Sequence, residues 1–403
     1  MFKRSVSLVT LLSLLVICAV AASTLTLVLT GDLRREEVAA AGANPLTKYA
    51  RLDEILQIVG REYYTEVDED VLLTGAIRGM LAELEDPYTF YYTPEEYREM
   101  DEESTGLYHG VGMLIGLDGE GGIAVLRVFR DSPAERAGVR PGDRIASVAG
   151  VPVAGDSAMG LSEAVSLLRG DSRSDVEVTV LRGRESIDLA LSRDEVSINY
   201  VEYSILDGSV GYLSIFQFTG DDVVGVAEAI SAFRKAGVKG LIVDVRSNPG
   251  GLLKDVVNIC DMLLPKGLIV YTEDRQGRRQ EYYADEEFWD VPMAVLVNGM
   301  SASASEIFAA AVKEANRGAI VGETTYGKGV VQTLLAFEEG DGLQLTTSAY
   351  YTSSGRSIHN MGVDPDVRVE LEGNQSVIYY EPNPAKDAQL AKGIEVLRKS
   401  MGR

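Results

Sequence analysis

The sequence predicts an α/β core whose helices cover a sheet, preceded by a small strand-rich module and an acidic helical segment. Three observations carry this. From Asn199 onward apolar strands alternate with helical stretches: Val210 to Phe216, helix Asp222 to Ala236, Gly240 to Val245, helix Leu252 to Leu264, Met293 to Val297, helix Ser303 to Asn316 and Ala319 to Val321. Between Gly106 and Arg193 short strands lie between glycine turns, at Val111 to Leu117, Gly122 to Phe129, Asp143 to Val148 and Asp175 to Leu181, with one helix over Leu161 to Leu168. From Leu46 to Thr105 the apolar residues Leu52, Ile55, Leu56 and Val59 recur at helical spacing, followed by Leu72, Leu73, Ile77, Met80, Leu81 and Leu84.

The chain of 403 residues is long enough for two or three domains. Its net charge of −23 repels phosphate backbones and excludes a nucleic-acid-binding role. Half of that excess lies in the acidic helices of 46–105, where five basic residues face sixteen acidic ones. Asp86-Pro87 and Thr93-Pro94 divide that segment, and Thr93 with Glu96 forms a capping-box signature. The segment reads as a solvated helical cap or dimerisation arm. With only Cys18 and Cys260, no intrachain disulfide framework exists and a thiolate metal site is disfavoured. With only His109 and His359, a hydrolytic mechanism uses one of these or dispenses with imidazole.

Residues 5–30 carry no charge over 26 positions, about 39 Å of helix against a hydrocarbon core of about 30 Å. The run exceeds the apolar region of a cleavable signal, so an uncleaved anchor over 1–31 is favoured, although Ala19-Val20-Ala21 offers a cleavage pattern that would release a secreted protein. Lys3 and Arg4 place the N-terminus in the cytoplasm and everything beyond residue 31 outside the cell membrane.

In the small module, Gly110-Val111-Gly112-Met113 can aim consecutive backbone NH groups at an anion. The strand continuing through Leu114 and Ile115 can add a peptide to its edge, with capture of a C-terminal carboxylate. SPAERAGVRPGDRI, from Ser132 to Ile145, follows downstream, and with it the stretch 106–193 resembles a PDZ domain of the bacterial protease-associated kind.

Chemistry is suggested by Asn298-Gly-Met-Ser-Ala-Ser-Ala-Ser-Glu306, between an apolar strand and a helix. A serine there sits beside orphan NH groups that can stabilise an oxyanion, although serine is equally a favoured helix cap. Neither histidine lies in a motif that orients it as a base, and His359 falls in a turn-rich stretch suited to a structural role. Lysine remains, since burial favours the neutral amine that accepts a serine proton. Lys328, in Gly327-Lys328-Gly329, precedes a strand from Val330 to Phe337, and alternation puts Lys328 and Gln332 on one face. Gly322 to Lys328 imitates a phosphate-binding loop, but Gly329 occupies the position of the required Ser or Thr and a strand follows, so an NTPase is rejected. In Asp244-Val-Arg-Ser-Asn-Pro-Gly-Gly251 the paired glycines can present an NH to a bound carbonyl, or simply make a tight turn.

Together these segments resemble the carboxyl-terminal processing (tail-specific) peptidase family over roughly Leu46 to Glu370. The resemblance implies a crotonase/Clp-protease-like peptidase core at 196–372 with the PDZ domain inserted before it, and a helical tail at 373–403. It implies nucleophile Ser303, general base Lys328, orienting Gln332 and oxyanion donors at the NH groups of Gly251 and Ala304. It makes Gly110 to Ile115 the peptide site and Arg169 a link between peptide occupancy and the active centre. Tyr326 stands where the family has Phe, and Pro249 where it has Gly or Asn. The chain is thus expected to be a membrane-tethered serine endopeptidase acting on proteins or peptides with a free C-terminus, needing no metal or cofactor. A homodimer is expected through the acidic helices and the tail. The rival is a PDZ-bearing scaffold whose degenerate core only binds.

Overall fold

The computed structural model describes residues 45–105, 107–118, 121–153, 159–170, 173–370 and 382–402. The segment read as a membrane anchor lies outside them; among the described residues no helix is long and apolar enough to cross a membrane. Two compact units are present: the described parts of Glu99–Val331 with Thr347–Arg403, and of Leu25–Arg98 with Gln332–Thr346.

In the first unit a six-stranded sheet runs in the order Val201–Leu206, Val210–Ile215, Gly240–Asp244, Met293–Val297, Gly318–Gly322, Val367–Arg368. The first pair is antiparallel and every later pair parallel. Gly240–Asp244 and Met293–Val297 are buried throughout, as parallel strands covered on both faces must be, which explains their unbroken apolar sequences. Side chains alternate between faces. Tyr212, Ile242, Ala294, Leu296 and Val321 meet Leu390, Ile394 and Leu397 of the C-terminal helix Ala388–Met401. Gly393 brings that helix close, since a Cβ there would stand 2.8 Å from Leu296 Cδ2. The apolar face of this part of the tail is therefore buried in its own chain, and the dimerisation expected of the tail cannot use that face.

The opposite face receives the helix Asp222–Ala236, whose Phe233 stands over Gly211. Leu253–Leu263 and Ala304–Glu314 are the remaining helices of the core and pack on each other. A separate antiparallel arrangement, Arg279–Ala284, Gly267–Asp274 and the end of Gly342–Thr352, was not expected from the sequence.

The inserted module is an antiparallel sheet ordered Met113–Leu117, Ile123–Val128, Arg144–Val148, Asp175–Arg182, Glu185–Ser192. Its core includes Val125, Ile145, Val178, Val180 and Leu191, with Ala164 of the helix Leu161–Leu168. Met113–Leu117 is an edge strand, with no partner on its outer side among the described residues. Leu107–Gly110, entering the module, pairs with Asp194–Ser197, leaving it.

The second unit contains helices Pro45–Glu62 and Glu69–Ala82 and a strand, Phe90–Tyr92, paired with the start of Gly342–Thr352. Glu96 accepts from Thr93 N at 2.9 Å, and Glu96 N donates to Thr93 Oγ1 at 3.4 Å, so the capping box forms.

Candidate active site

Three adjacent parallel strands end side by side, at Asp244, Val297 and Gly322, and the loops leaving their carboxyl ends carry the candidate residues. Ligand sites of α/β sheets form at such edges.

The loop after Val297 is fixed by buried polar groups. Ser301 Oγ donates to Val245 O at 2.8 Å and accepts from Asn298 N at 3.0 Å; Asn298 Oδ1 accepts from Ser247 N at 2.8 Å. Ser303 closes the loop at φ 53° and ψ −115°, a conformation that costs a non-glycine residue about 1–3 kcal/mol. The surroundings hold it there: Ala302 N donates to Asn248 O at 3.0 Å, and Ser303 O accepts from the NH groups of Glu306 at 2.8 Å and Ile307 at 3.0 Å.

Asn248, fully buried, organises the neighbouring loop. Its Nδ2 donates to Ile215 O and its Oδ1 accepts from Gly250 N, both at 2.8 Å. Gly250, at φ 112°, lies against the serine: a Cβ on it would stand 2.7 Å from Ser303 Cβ and 3.0 Å from Ala304 N. Gly251, at φ 148°, bridges Phe218 through its neighbours, with Phe218 N donating to Gly250 O and Leu252 N to Phe218 O. In a parallel bridge of this kind the NH of Gly251 itself points away from Phe218. Arg246, also buried, joins this loop to the C-terminal helix, donating to Asp244, Asp387 and Gln389.

Lys328 is 2% exposed. Its NH donates to Glu306 Oε2 at 2.8 Å, and Tyr350 Oη donates to its carbonyl. The flanking glycines serve close packing rather than phosphate binding: Gly327 is at φ 94°, and a Cβ on Gly329 would stand 2.5 Å from His359 N. His359 accepts from Gly329 N through Nδ1 at 3.4 Å, in keeping with the structural role expected of it. Gln332 belongs to the second unit, where it is buried and donates to Thr346 Oγ1 at 3.1 Å.

Glu306 is the residue that sequence reasoning passed over. One carboxylate oxygen accepts from the NH groups of both Ser303 and Lys328 at 2.8 Å; the other accepts from Thr325 Oγ1 at 2.5 Å and Gly327 N at 2.7 Å. Burial pushes its carboxyl up to about 7, against the pull of these four bonds. The signal was present, since Ser303 and Glu306 have capping-box spacing.

The expected peptide loop lies at the edge of the module. Val111 and Met113 are buried, Leu114 is 47% exposed on the edge strand, and Ile115 faces the core. Gly112, at φ 86°, packs on Ser132, its carbonyl accepting from Phe129 N at 3.0 Å. Gly110 bridges Arg169, the residue that follows the helix Leu161–Leu168.

A strained serine at a helix start, a buried lysine and a PDZ-like module define a serine peptidase with an attached peptide-binding domain. Residues 209–369 match the model of peptidase family S41, 125–182 that of a PDZ domain and 26–96 that of the N-terminal domain of the activating protease CtpB. The carboxy-terminal processing protease CtpA of Bacillus subtilis (strain 168) is 33% identical over 394 residues, spanning 96% of this chain and 83% of that protein. A probable CtpA-like serine protease of Staphylococcus aureus (strain COL) is 35% identical over 331 residues, spanning 81% of this chain and 66% of that one. Among solved structures, the photosystem II D1 C-terminal processing protease superposes with TM-score 0.50 at 32% identity, covering 88% of this chain and 91% of that one. The chain belongs to the carboxyl-terminal processing serine peptidases of family S41. Membership sets aside the scaffold reading.

Proposed function

We propose that this chain is a membrane-tethered, extracytoplasmic endopeptidase that takes protein substrates by their free C-termini and cleaves them with a Ser303–Lys328 dyad. The observation that carries the reading is the convergence of the Ser303 and Lys328 NH groups on one buried oxygen of Glu306, with Gly250 against the serine. Lys328, 2% exposed, is assigned as the base that takes the serine proton. As Ser303 Oγ attacks the scissile carbonyl carbon, its proton passes to Lys328 Nζ. The carbonyl oxygen becomes an oxyanion facing the NH groups of Gly251 and Ala304. Collapse of the intermediate breaks the C–N bond, the leaving amine takes the proton from Lys328, and water then hydrolyses the acyl-enzyme by the same route. Gln332 is assigned to orient the amine, and the edge strand from Met113 to bind peptide by β-addition.

The 26 uncharged residues at 5–30 support the tether. Exposed Leu52, Ile55, Ile58 and Leu73 on the N-terminal helices support pairing of two copies through these helices.

The test is cleavage of an unstructured protein with an apolar C-terminus by the full-length chain and its Ser303→Ala and Lys328→Ala variants. Both variants should lose at least about 10³-fold in kcat while retaining peptide binding. Unchanged cleavage by Ser303→Ala would remove the nucleophile assignment.

A further inference from the structure

An arginine of the inserted module is buried against the peptidase sheet. Arg127 belongs to the strand Ile123–Val128 and is 5% exposed. Its Nε donates to Glu202 Oε1 at 2.8 Å, its Nη2 donates to Asn199 O, and its guanidinium carbon stands 3.9 Å from the centre of the Phe216 ring. The neighbouring backbone adds a bond, Arg130 N donating to Asn199 Oδ1 at 2.8 Å. These partners lie on both arms of the antiparallel pair Val201–Leu206 and Val210–Ile215, at the end where Val201 faces Ile215 and Phe216 N donates to Tyr200 O at 2.8 Å. The same end carries the glycine loop. Asn248 Nδ2 donates to Ile215 O at 2.8 Å, Phe218 N to Gly250 O at 2.8 Å and Leu252 N to Phe218 O at 2.6 Å. Phe216 thus sits between the two residues on which that loop is hung, and Gly250 of the loop lies against Ser303.

We propose that Arg127 is a positioning residue of the peptidase: by clamping Phe216 it fixes the segment 215–218 and, through it, the glycine loop that faces Ser303. The inference rests on the reading of Ser303 as nucleophile and Gly251 as oxyanion donor, and it deepens that reading, because the inserted module then supplies part of the frame of the active site as well as a groove for peptide. A charge at this depth loses its hydration and is tolerated only when it is bonded and stacked. A module that merely carried a groove could join the core through solvated contacts, as domains of one chain commonly do. Arginine has a planar face for the ring together with a rigid fork for Glu202 and Asn199, a combination lysine lacks. Arg127 also pairs with Leu114 of the peptide edge strand, but through its backbone, which a change of side chain leaves in place. Loss of the clamp therefore falls on the chemical step and not on recognition of the tail.

The test measures kcat and KM of the full-length chain and its Arg127→Lys, Phe216→Leu and doubly substituted forms on one unstructured synthetic peptide, made as free acid and as C-terminal amide. Each single variant should lose about ten- to a hundredfold in kcat on both peptides, with KM for the free acid within about twofold of the parent's. The double variant should lose no more than the worse single one, since both changes remove the same contact. Phe216→Leu leaves the ion pair of Arg127 with Glu202 in place, and so carries the test if the lysine variant fails to fold. Parent-like kcat in a folded variant overturns the clamp. So does a loss confined to KM or to the free-acid peptide, which would put Arg127 in tail recognition, and additive losses in the double variant overturn the route through Phe216. Cleavage by Ser303→Ala at the parent's rate would overturn instead the site reading on which the clamp depends.

Discussion

Replacing Glu306 by Gln separates the two things this carboxylate does. An amide has one accepting oxygen, and its NH2 replaces the other. Four donors converge here, two on each oxygen, so whichever way the amide turns its NH2 confronts two of them. Turned toward Ser303 and Lys328, it leaves both of their NH groups unpaired. Turned the other way, it strands Gly327 N and displaces the Thr325 hydroxyl, which already accepts from Val363 N at 2.7 Å. A shift of about 1 Å in a catalytic group costs about 10²-fold, so kcat should fall by that order with little change in KM. Stability moves the opposite way. The carboxyl, raised from 4.5 to about 7, keeps its proton in the native state over a range where the unfolded chain has lost it, so the parent loses stability as pH rises through that window. At 1.36 kcal/mol per pH unit this is about 3 kcal/mol, which the neutral amide does not lose. The stability of the Gln variant relative to the parent should therefore rise by about that amount between pH 4 and pH 8, while its activity stays low throughout. The parent's activity should rise through about pH 7 as four acceptor sites become available; the variant should lack that ionisation. The assay is kcat and KM from pH 5 to 9 beside denaturant midpoints. A variant with the parent's kcat and pH profile would refute the positioning role, and one that loses activity only because it unfolds would refute the electrostatic half.

Two further outcomes follow from the same neighbourhood. Gly250→Ala puts a methyl group 2.7 Å from Ser303 Cβ and 2.9 Å from Ala302 O at φ 112°, and should cost about 2–4 kcal/mol in urea midpoints and more than tenfold in kcat. Asp222, 2% exposed, has one carboxylate oxygen without a partner among the described residues, and burial with the charge of Asp255 pushes it up to about 8. Since its folded value exceeds 3.8, its contribution to stability falls as pH climbs from about 4 to 8. Asp222→Asn should thus raise unfolding free energy increasingly toward alkaline pH, by up to about 6 kcal/mol at pH 9, and leave it unchanged below pH 4.

Elements whose own residues carry their pattern were legible. Leu161–Leu168, Asp222–Ala236 and Met293–Val297 occur with the bounds that periodicity gives. Glu185–Ser192 was not, because only Leu191 along it is deeply buried and the rest lacks an apolar face. Gly267–Asp274 and Gly342–Thr352 are specified by each other across a long separation, which no local window contains. The site divides the same way. Ser303 and Lys328 announce themselves by residue type and local context. Glu306 announces only a cap, because the turn at 325–328 that makes it a tether arrives from nineteen or more residues away.

The bond from Arg246 to Asp387 also orders events in time. Arg246 braces the glycine loop beside Ser303, and its partner comes 141 residues later. At roughly 5–20 residues per second of synthesis, that separation leaves about 7–30 s during which the glycine loop exists without its brace. A growing chain thus carries the glycine loop unbraced until the helix Ala388–Met401 is made and closes over the sheet.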